Sequence, residues 1–341
     1  MAFQSWRPHG ISDIRTRTGT YAVNRVTSSA TGGLRVAVIC GGLSNEAVIS
    51  RISAAGVSEA LRANYKEVTV LELDADLTES LRRFAPDVVF PILHGPPGED
   101  GTIQGFLEIL NFPYVGSSVH ASSVAMDKPV AKLVFAGAGL PLAGQVIVAE
   151  NENLDEAVAR VDQQLGVDVV IKPANQGSAL GVQFANNPQE IRDAMQSAQA
   201  DYGTVLVESR IVGKEITVGV LDTKEGPEAF PVIEIVTPDA TWYDFEHRYT
   251  QGLSEHVVPA RIPESTRLQL QNMAVDAHVA LGCRDLSRTD FVVGDEQIVL
   301  LEVNTLPGMT PTSLYPDGAA AWGLDFPDLM VHLVERAATR R

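Results

Sequence analysis

In the stretch LLEVNTLPGMTPTSL, Leu300 to Leu314, an acid and an amide stand two apart inside a run of leucine and valine. A strand alternates its faces with period two, so Glu302 and Asn304 share one face while Leu301 and Val303 share the other. Upstream, SRTDFVV places Arg288 and Asp290 on one face of a second apolar strand. If GDEQ turns the two strands into a hairpin, Asp290, Glu302 and Asn304 converge. Oxygen ligands with open positions left for phosphates are how Mg²⁺ is usually held at nucleotide sites. Taken singly, each residue fits equally a strand that turns one polar face to water.

Two further segments carry groups of the same kind. In IKPANQGSALGV, Lys172 leaves a strand and enters a turn whose glycines let backbone N–H groups approach phosphate oxygens. The lysine precedes the glycines, so this is neither a Walker loop nor a Rossmann fingerprint, and a plain hairpin turn is the competing reading. In VLVESRIVGKEITVGVL, Glu208 and Glu215 suit the amino group of a base and the hydroxyls of a ribose. They suit two surface acids flanking a turn just as well.

The elements that must position these groups follow from periodicity. LRVAVICGGLSNEAVISRISAAGVSEAL gives a buried strand, a Gly-Gly turn and a helix; KEVTVLEL and PDVVFPILHG are two more strands, separated by helical LTESLRRFA. That alternation indicates a parallel sheet with function at its carboxyl edge, where GGLSNE and HGPPGEDG fall. From Lys128 onward a helix, KPVAKLVFAGAG, precedes a strand–helix series, with later helices at 264–281 and 325–338. Residues 1–33, with four Arg against one Asp and no periodic pattern, suggest a poorly ordered extension, a tag remnant or an upstream start. The formal net charge of −17 argues against nucleic acid and against an anionic membrane surface as partners. Cys40 and Cys283 form no disulfide framework and no zinc spacing, which fits a reducing cytoplasm.

With these motifs in hand, the chain resembles the D-alanine–D-alanine ligases of the ATP-grasp superfamily from about Arg35 to about Ala337. The resemblance is carried, in order, by GGLSNE, LHGPPGEDGTIQG, PYVGSSVHASSVAMDK, KPANQGSALGV, VESRIVGKEITVGVL, YDFEHRY and LLEVNTLPGMTPTSL. It implies an α/β chain with a three-domain ATP-grasp fold: the extension 1–33, an N-terminal parallel βαβ domain 34–126, and two α+β domains, 127–212 and 213–341, that clamp ATP. It implies ATP as cosubstrate, lined by Lys132, Lys172, Glu208, Ile211 and Glu215, and two Mg²⁺ or Mn²⁺ ions on Asp290, Glu302 and Asn304. Glu46, Ser178 and Tyr249 match the family's hydrogen-bonded trio, and His94 a residue near the first D-alanine. Arg288 and the N–H of Gly308 match the groups facing the tetrahedral oxyanion. Ser313 and Leu314 match those that hold the second D-alanine's carboxylate.

The implied activity is ligation of two D-alanines through an acyl phosphate, supplying peptidoglycan precursors in the cytoplasm. The implied assembly is a homodimer, with no nucleic acid or membrane partner. A sister ligase taking D-serine, D-lactate or another acceptor is the nearest alternative, and a non-catalytic ATP-binding protein a remote one. The loop DATWYDFEHRYTQG is expected to close over the site and exclude water. Three departures border the substrates: Ala179 where a second serine is usual, Arg248 where lysine is common, and Ala47-Val48 after Glu46 where His-Glu is usual. Tyr249 in the closing loop, where D-lactate ligases arrange a histidine, points to D-alanine as the preferred acceptor.

Overall fold

The computed structural model describes residues 33–340 apart from 43, 45, 239–241 and 251, with 245 and 249 described by backbone alone. The expected extension 1–33 therefore lies, but for its last residue, outside the described residues.

The first sheet is made of β1 (Arg35–Cys40), β2 (Glu67–Glu72) and β3 (Val88–Pro91), with α1 (Ala47–Arg62), α2 (Leu77–Phe84) and α3 (Thr102–Ile109). The strand order is β2-β1-β3 and both pairings are parallel, as the βαβ alternation requires. β1 and β3 are buried on both faces, which is why they read as unbroken apolar runs.

Next come α4 (Val119–Met126) and α5 (Lys128–Gly137), the latter capped by the Asp127 side chain with Pro129 in its first turn. A second sheet holds β4 (Gln145–Val148), β5 (Val169–Pro173), β6 (Gln183–Ala185) and β7 (Val205–Ser209), in the order β4-β7-β5-β6 and antiparallel. Helices α6 (Leu154–Leu165) and α7 (Pro188–Tyr202), each started by an asparagine cap, cover one face and share a core with it around Val161, Ile171, Met195 and Val207.

The third sheet contains β8 (Lys214–Asp222), β9 (Pro227–Ala229), β10 (Ile233–Val236), β11 (Glu255–Val257), β12 (Leu286–Val293) and β13 (Ile298–Asn304). Its order is β11-β10-β8-β12-β13, with β9 alongside β8. The short helix α8 (Phe245–Tyr249) interrupts the segment between β10 and β11, and α9 (Glu264–Leu281) packs on the sheet. The chain ends in α10 (Leu314–Trp322) and α11 (Phe326–Ala338).

Two packing facts refine the expected division of the chain. α5, inside the expected central unit, lends Ala131 and Phe135 to the core of the third sheet. α11 packs its Leu329, Met330 and Leu333 with Val36, Val38 and Phe90 of the first sheet, so first and third units share one core. The strands β7 and β8, adjacent in sequence, lie in different sheets, and Ile211–Gly213 is the crossing. Gly213 is needed there because a Cβ would sit 2.3 Å from the Val293 carbonyl oxygen.

Candidate active site

The hairpin anticipated from GDEQ forms. β12 and β13 pair antiparallel, setting Arg288 opposite Asn304 and Asp290 opposite Glu302, with a register shift just after Asp290. The Arg288 guanidinium grips Asp290 with two donors, Nε to Oδ1 at 3.0 Å and Nη2 to Oδ2 at 2.9 Å. Thr217 on β8 donates to Oδ1 at 2.6 Å and the Asn304 amide to Oδ2 at 3.1 Å. Burial works against ionising Asp290, but the Arg288 charge beside it prevails and holds the carboxyl below its ordinary value. Glu302 is likewise held low against burial, chiefly by Lys128, whose Nζ lies 3.4 Å from Oε2.

These residues fit a divalent cation. Both carboxyls stay ionised despite burial, and with the Asn304 amide they make a hard, oxygen-only donor set. Among the described residues no three His, Cys, Asp or Glu side chains cluster so as to enclose an ion alone. The set is therefore an open one, suited to an ion shared with phosphate oxygens.

Beside the hairpin a cleft of ≈ 860 Å³ runs between the second and third sheets. Its floor is built on Glu208, at the end of β7, which is almost wholly buried. Lys172 from β5 pairs with one carboxylate oxygen and Lys132 from α5 with the other, the latter at 2.5 Å. Burial alone would raise this carboxyl, but Lys172 and Lys132 outweigh it and hold it at about 2. Further along, Glu215 accepts from the Tyr243 backbone N–H at 3.1 Å, and burial leaves its carboxyl above its ordinary value. Phe184 and Trp242 meet edge-on at the rim, 5.4 Å between centroids. One end of the cleft is thus apolar and aromatic, the other cationic, as a base and a polyphosphate require.

A smaller, polar cleft adjoins it, lined by Glu46, His94, Glu99, Ser178, Arg288 and Gly308 among others. Ser178 donates to Glu46 across the junction between second and first sheets. Ser178 and Ala179 both hold left-handed backbone, φ +49° and +59°, an unfavourable conformation for residues with a Cβ. His94 is buried and held towards its neutral form by burial, and its Nε2 has no partner among the described residues. Glu99 accepts from the Gly95 N–H at 2.7 Å. Burial, reinforced by the Glu46 charge, pushes its carboxyl up to about 8. Lys128, Gln176, Arg248 and Glu302 line both clefts, so the two meet along one wall.

Most residues singled out from sequence gather here. Lys172, Glu208, Ile211, Glu215 and Glu302 line the larger cleft, and Glu46, His94, Ser178, Arg288, Asn304 and Gly308 the smaller. A Cβ on Gly308 would lie 2.8 Å from the Ser313 hydroxyl, so glycine keeps that turn tight. Ser313 accepts from the Thr310 N–H at 2.9 Å at the start of α10. The Leu314 side chain turns into an apolar cluster with Ile233 and Tyr243. Tyr249 falls in α8, and its side chain lies outside the described residues. Lys132 stands behind the wall rather than in it. Its ammonium is buried against Glu208 and donates to the Leu300 carbonyl at 3.4 Å, while burial depresses its pKa. The lysine facing both clefts is Lys128, one helical turn earlier, and the motif AMDK already contains it. Glu99 was equally unremarked, although it stands in HGPPGEDG.

Two family models match the chain: the D-ala D-ala ligase N-terminus over residues 72–117 and the D-ala D-ala ligase C-terminus over residues 134–335. The chain is 40% identical over 309 residues to the D-alanine–D-alanine ligase of Desulforamulus reducens, covering 89% of this chain and 98% of that one. It is 45% identical over 310 residues to the D-alanine–D-alanine ligase of Acidiphilium cryptum, covering 90% and 99%. Among solved structures it resembles the Bacillus anthracis D-alanine–D-alanine ligase complexed with ATP, at 29% identity and TM-score 0.76, covering 90% of this chain and 98% of that one. It also resembles D-alanyl-alanine synthetase A from Vibrio cholerae, at 27% identity and TM-score 0.81, covering 91% and 100%.

Proposed function

Since the chain belongs to the D-alanine–D-alanine ligase family, we propose that it joins two D-alanine molecules into D-alanyl-D-alanine, using ATP. One observation carries this reading: a nucleotide-sized cleft and a small polar cleft share a wall of Lys128, Gln176, Arg248 and Glu302. A terminal phosphate held in the first is thereby presented to a carboxylate held in the second.

The chemistry follows from charge. A carboxylate oxygen of the first D-alanine forms a bond to the γ-phosphorus while the bridging bond to ADP breaks, leaving an acyl phosphate. Two anions must meet for this, and Lys128, Lys172 and Arg248 offset their repulsion. Asp290, Glu302 and Asn304 would hold two Mg²⁺ or Mn²⁺ ions, which would supply the remaining positive charge. The second D-alanine, its carboxylate at Ser313 and the Leu314 N–H, then attacks the acyl carbon through its amine. Arg288 and the Gly308 N–H donate to the tetrahedral oxyanion, and phosphate leaves with the carboxylate oxygen. Glu46, bonded to Ser178, and His94, held towards its neutral form, border the first substrate, and the family resemblance assigns Tyr249 to the same trio as Glu46 and Ser178. The amine must shed a proton to attack, and His94, which burial holds towards its neutral form, lines the same polar cleft.

The product serves peptidoglycan precursors, and the enzyme works in the cytoplasm as a homodimer. Among the described residues no helix is long and apolar enough to cross a membrane. D-alanine is the preferred acceptor at neutral pH, because the resemblance gives Tyr249, neutral there, the loop position where D-lactate ligases arrange a histidine. The test is product mass in equal mixtures of D-alanine and D-lactate from pH 6 to 9. Dipeptide should dominate at pH 7.5. Dominant depsipeptide there would assign the chain to a sister activity with a different acceptor.

A further inference from the structure

The acceptor end of the site is tied to the closing segment by a contact that no motif predicts. After β10 ends at Val236 the chain comes back as β11 from Glu255, an edge strand whose only partner among the described strands is β10, with His256 opposite Ile235. The His256 Nδ1–H donates to Asp317 Oδ2 at 2.6 Å. Asp317 lies in the first turn of α10, on the face it shares with Ser313 and Leu314, four and three residues before it. Leu314 itself packs with Ile233, Tyr243 and Val258, which flank the same closing segment. The start of α10 is thus held twice by one loop, through an apolar contact at Leu314 and a polar one at Asp317.

We propose that His256, acting through Asp317, is a positioning residue for the acceptor's carboxylate; this rests on the ligase reading given above. The physical reason is a competition. An acid in the first turn of a helix is attracted to the same N-terminal N–H groups that are to receive the acceptor carboxylate. Ser313 gives α10 no side-chain cap, its hydroxyl being engaged with Thr310, so those N–H groups remain open to either anion. The His256 hydrogen bond draws the Asp317 carboxylate to β11 and leaves the helix end to substrate. Asp317 is 40% exposed in its side chain, so the pair contributes little to global stability. Its effect falls on position.

The experiment compares steady-state constants of the full chain, its His256→Ala and His256→Asn variants and Asp317→Asn, with melting temperatures alongside. His256→Ala should raise KM for the second D-alanine about tenfold, the size of one lost hydrogen bond. KM for ATP and for the first D-alanine, kcat and melting temperature should hardly move. His256→Asn, which keeps a donor where Nδ1 stood, should restore most of the loss. If His256→Ala fails to fold, Asp317→Asn, which keeps the acceptor but not the charge, should show acceptor KM near that of the parent. An unchanged acceptor KM in folded His256→Ala overturns the proposal. So does an equal loss in every constant, or a raised acceptor KM in Asp317→Asn. If the parent makes no dipeptide at all, the ligase reading fails first and this inference with it.

Discussion

Glu208 and Glu99 are the same residue type in two adjoining clefts, and their surroundings drive them in opposite directions. Glu208 sits between Lys172 and Lys132, which hold it ionised at about 2 although it is buried. Glu99 has burial and the neighbouring Glu46 charge against it, and is pushed up to about 8. The larger cleft thus fixes two lysines on one ionised carboxylate and keeps a positive charge to spare. The polar cleft sets Glu46 and the raised Glu99 beside His94, which burial holds towards its neutral form, and Arg288, whose charge Asp290 already pairs.

The difference is broken most severely at the wall the clefts share. Asp290→Asn and Glu302→Gln should each lower ligation by at least about a thousandfold, since removing charge opposed to a transferring phosphate costs that order. Both variants should remain folded by circular dichroism. Activity within a few-fold of the parent, at ordinary magnesium, would sink the metal assignment.

The next effect falls on the larger cleft. Glu208→Gln leaves Lys132 and Lys172 facing each other without the anion between them, a loss on the order of 3 kcal/mol for a buried pair. The melting temperature should drop by roughly 6–12 °C at a few degrees per kcal/mol, and KM for ATP should rise. An unchanged melting curve would mean the lysines do not depend on Glu208.

The polar cleft should respond to pH instead. Glu99 keeps its proton in the folded protein up to about 8, whereas the unfolded chain releases it near the ordinary value of about 4.3. The folded state thus binds more protons between those values, so this group's contribution to stability declines as pH rises through that window. Glu99→Gln should abolish the decline, leaving a variant whose melting temperature changes less between pH 5 and 8.5 and is higher at the alkaline end. Parallel curves for parent and variant would place Glu99 in an ordinary solvated environment.

The smallest expected change is at the closing loop. Tyr249→Phe should weaken second-site D-alanine binding several-fold and leave ATP binding within a factor of two. Equal weakening of both would make Tyr249 a packing residue of the loop.

The nucleotide side of this contrast was the more legible in sequence. Strand alternation alone put Glu302 and Asn304 on one face, and the short GDEQ turn brought Arg288 and Asp290 against them, as the pairing of β12 with β13 bears out. The helices expected at 264–281 and 325–338 form as α9 and α11, the second starting one residue later behind its Asp325 cap. What periodicity could not rank was depth. Lys128 and Lys132 lie one turn apart on the same face of α5, and only the packing of that helix against the third sheet decides which reaches the cleft. Glu99 escaped for a related reason: its proton affinity comes from burial and then from Glu46, both set by the packed fold and not by sequence. The passage of the chain from β7 into a different sheet at β8 likewise hides inside an apparently simple strand–turn–strand run.

The central claim is that a phosphate of ATP is handed across the shared wall to a D-alanine carboxylate. It is tested most directly by supplying D-alanine labelled with ¹⁸O in its carboxylate, together with ATP and magnesium, and analysing the released phosphate by mass. Attack of that carboxylate on the γ-phosphorus, followed by amine attack at carbon, must leave one labelled oxygen in each phosphate, in equal amount with D-alanyl-D-alanine and ADP. Unlabelled phosphate, or AMP with pyrophosphate in place of ADP, would contradict it.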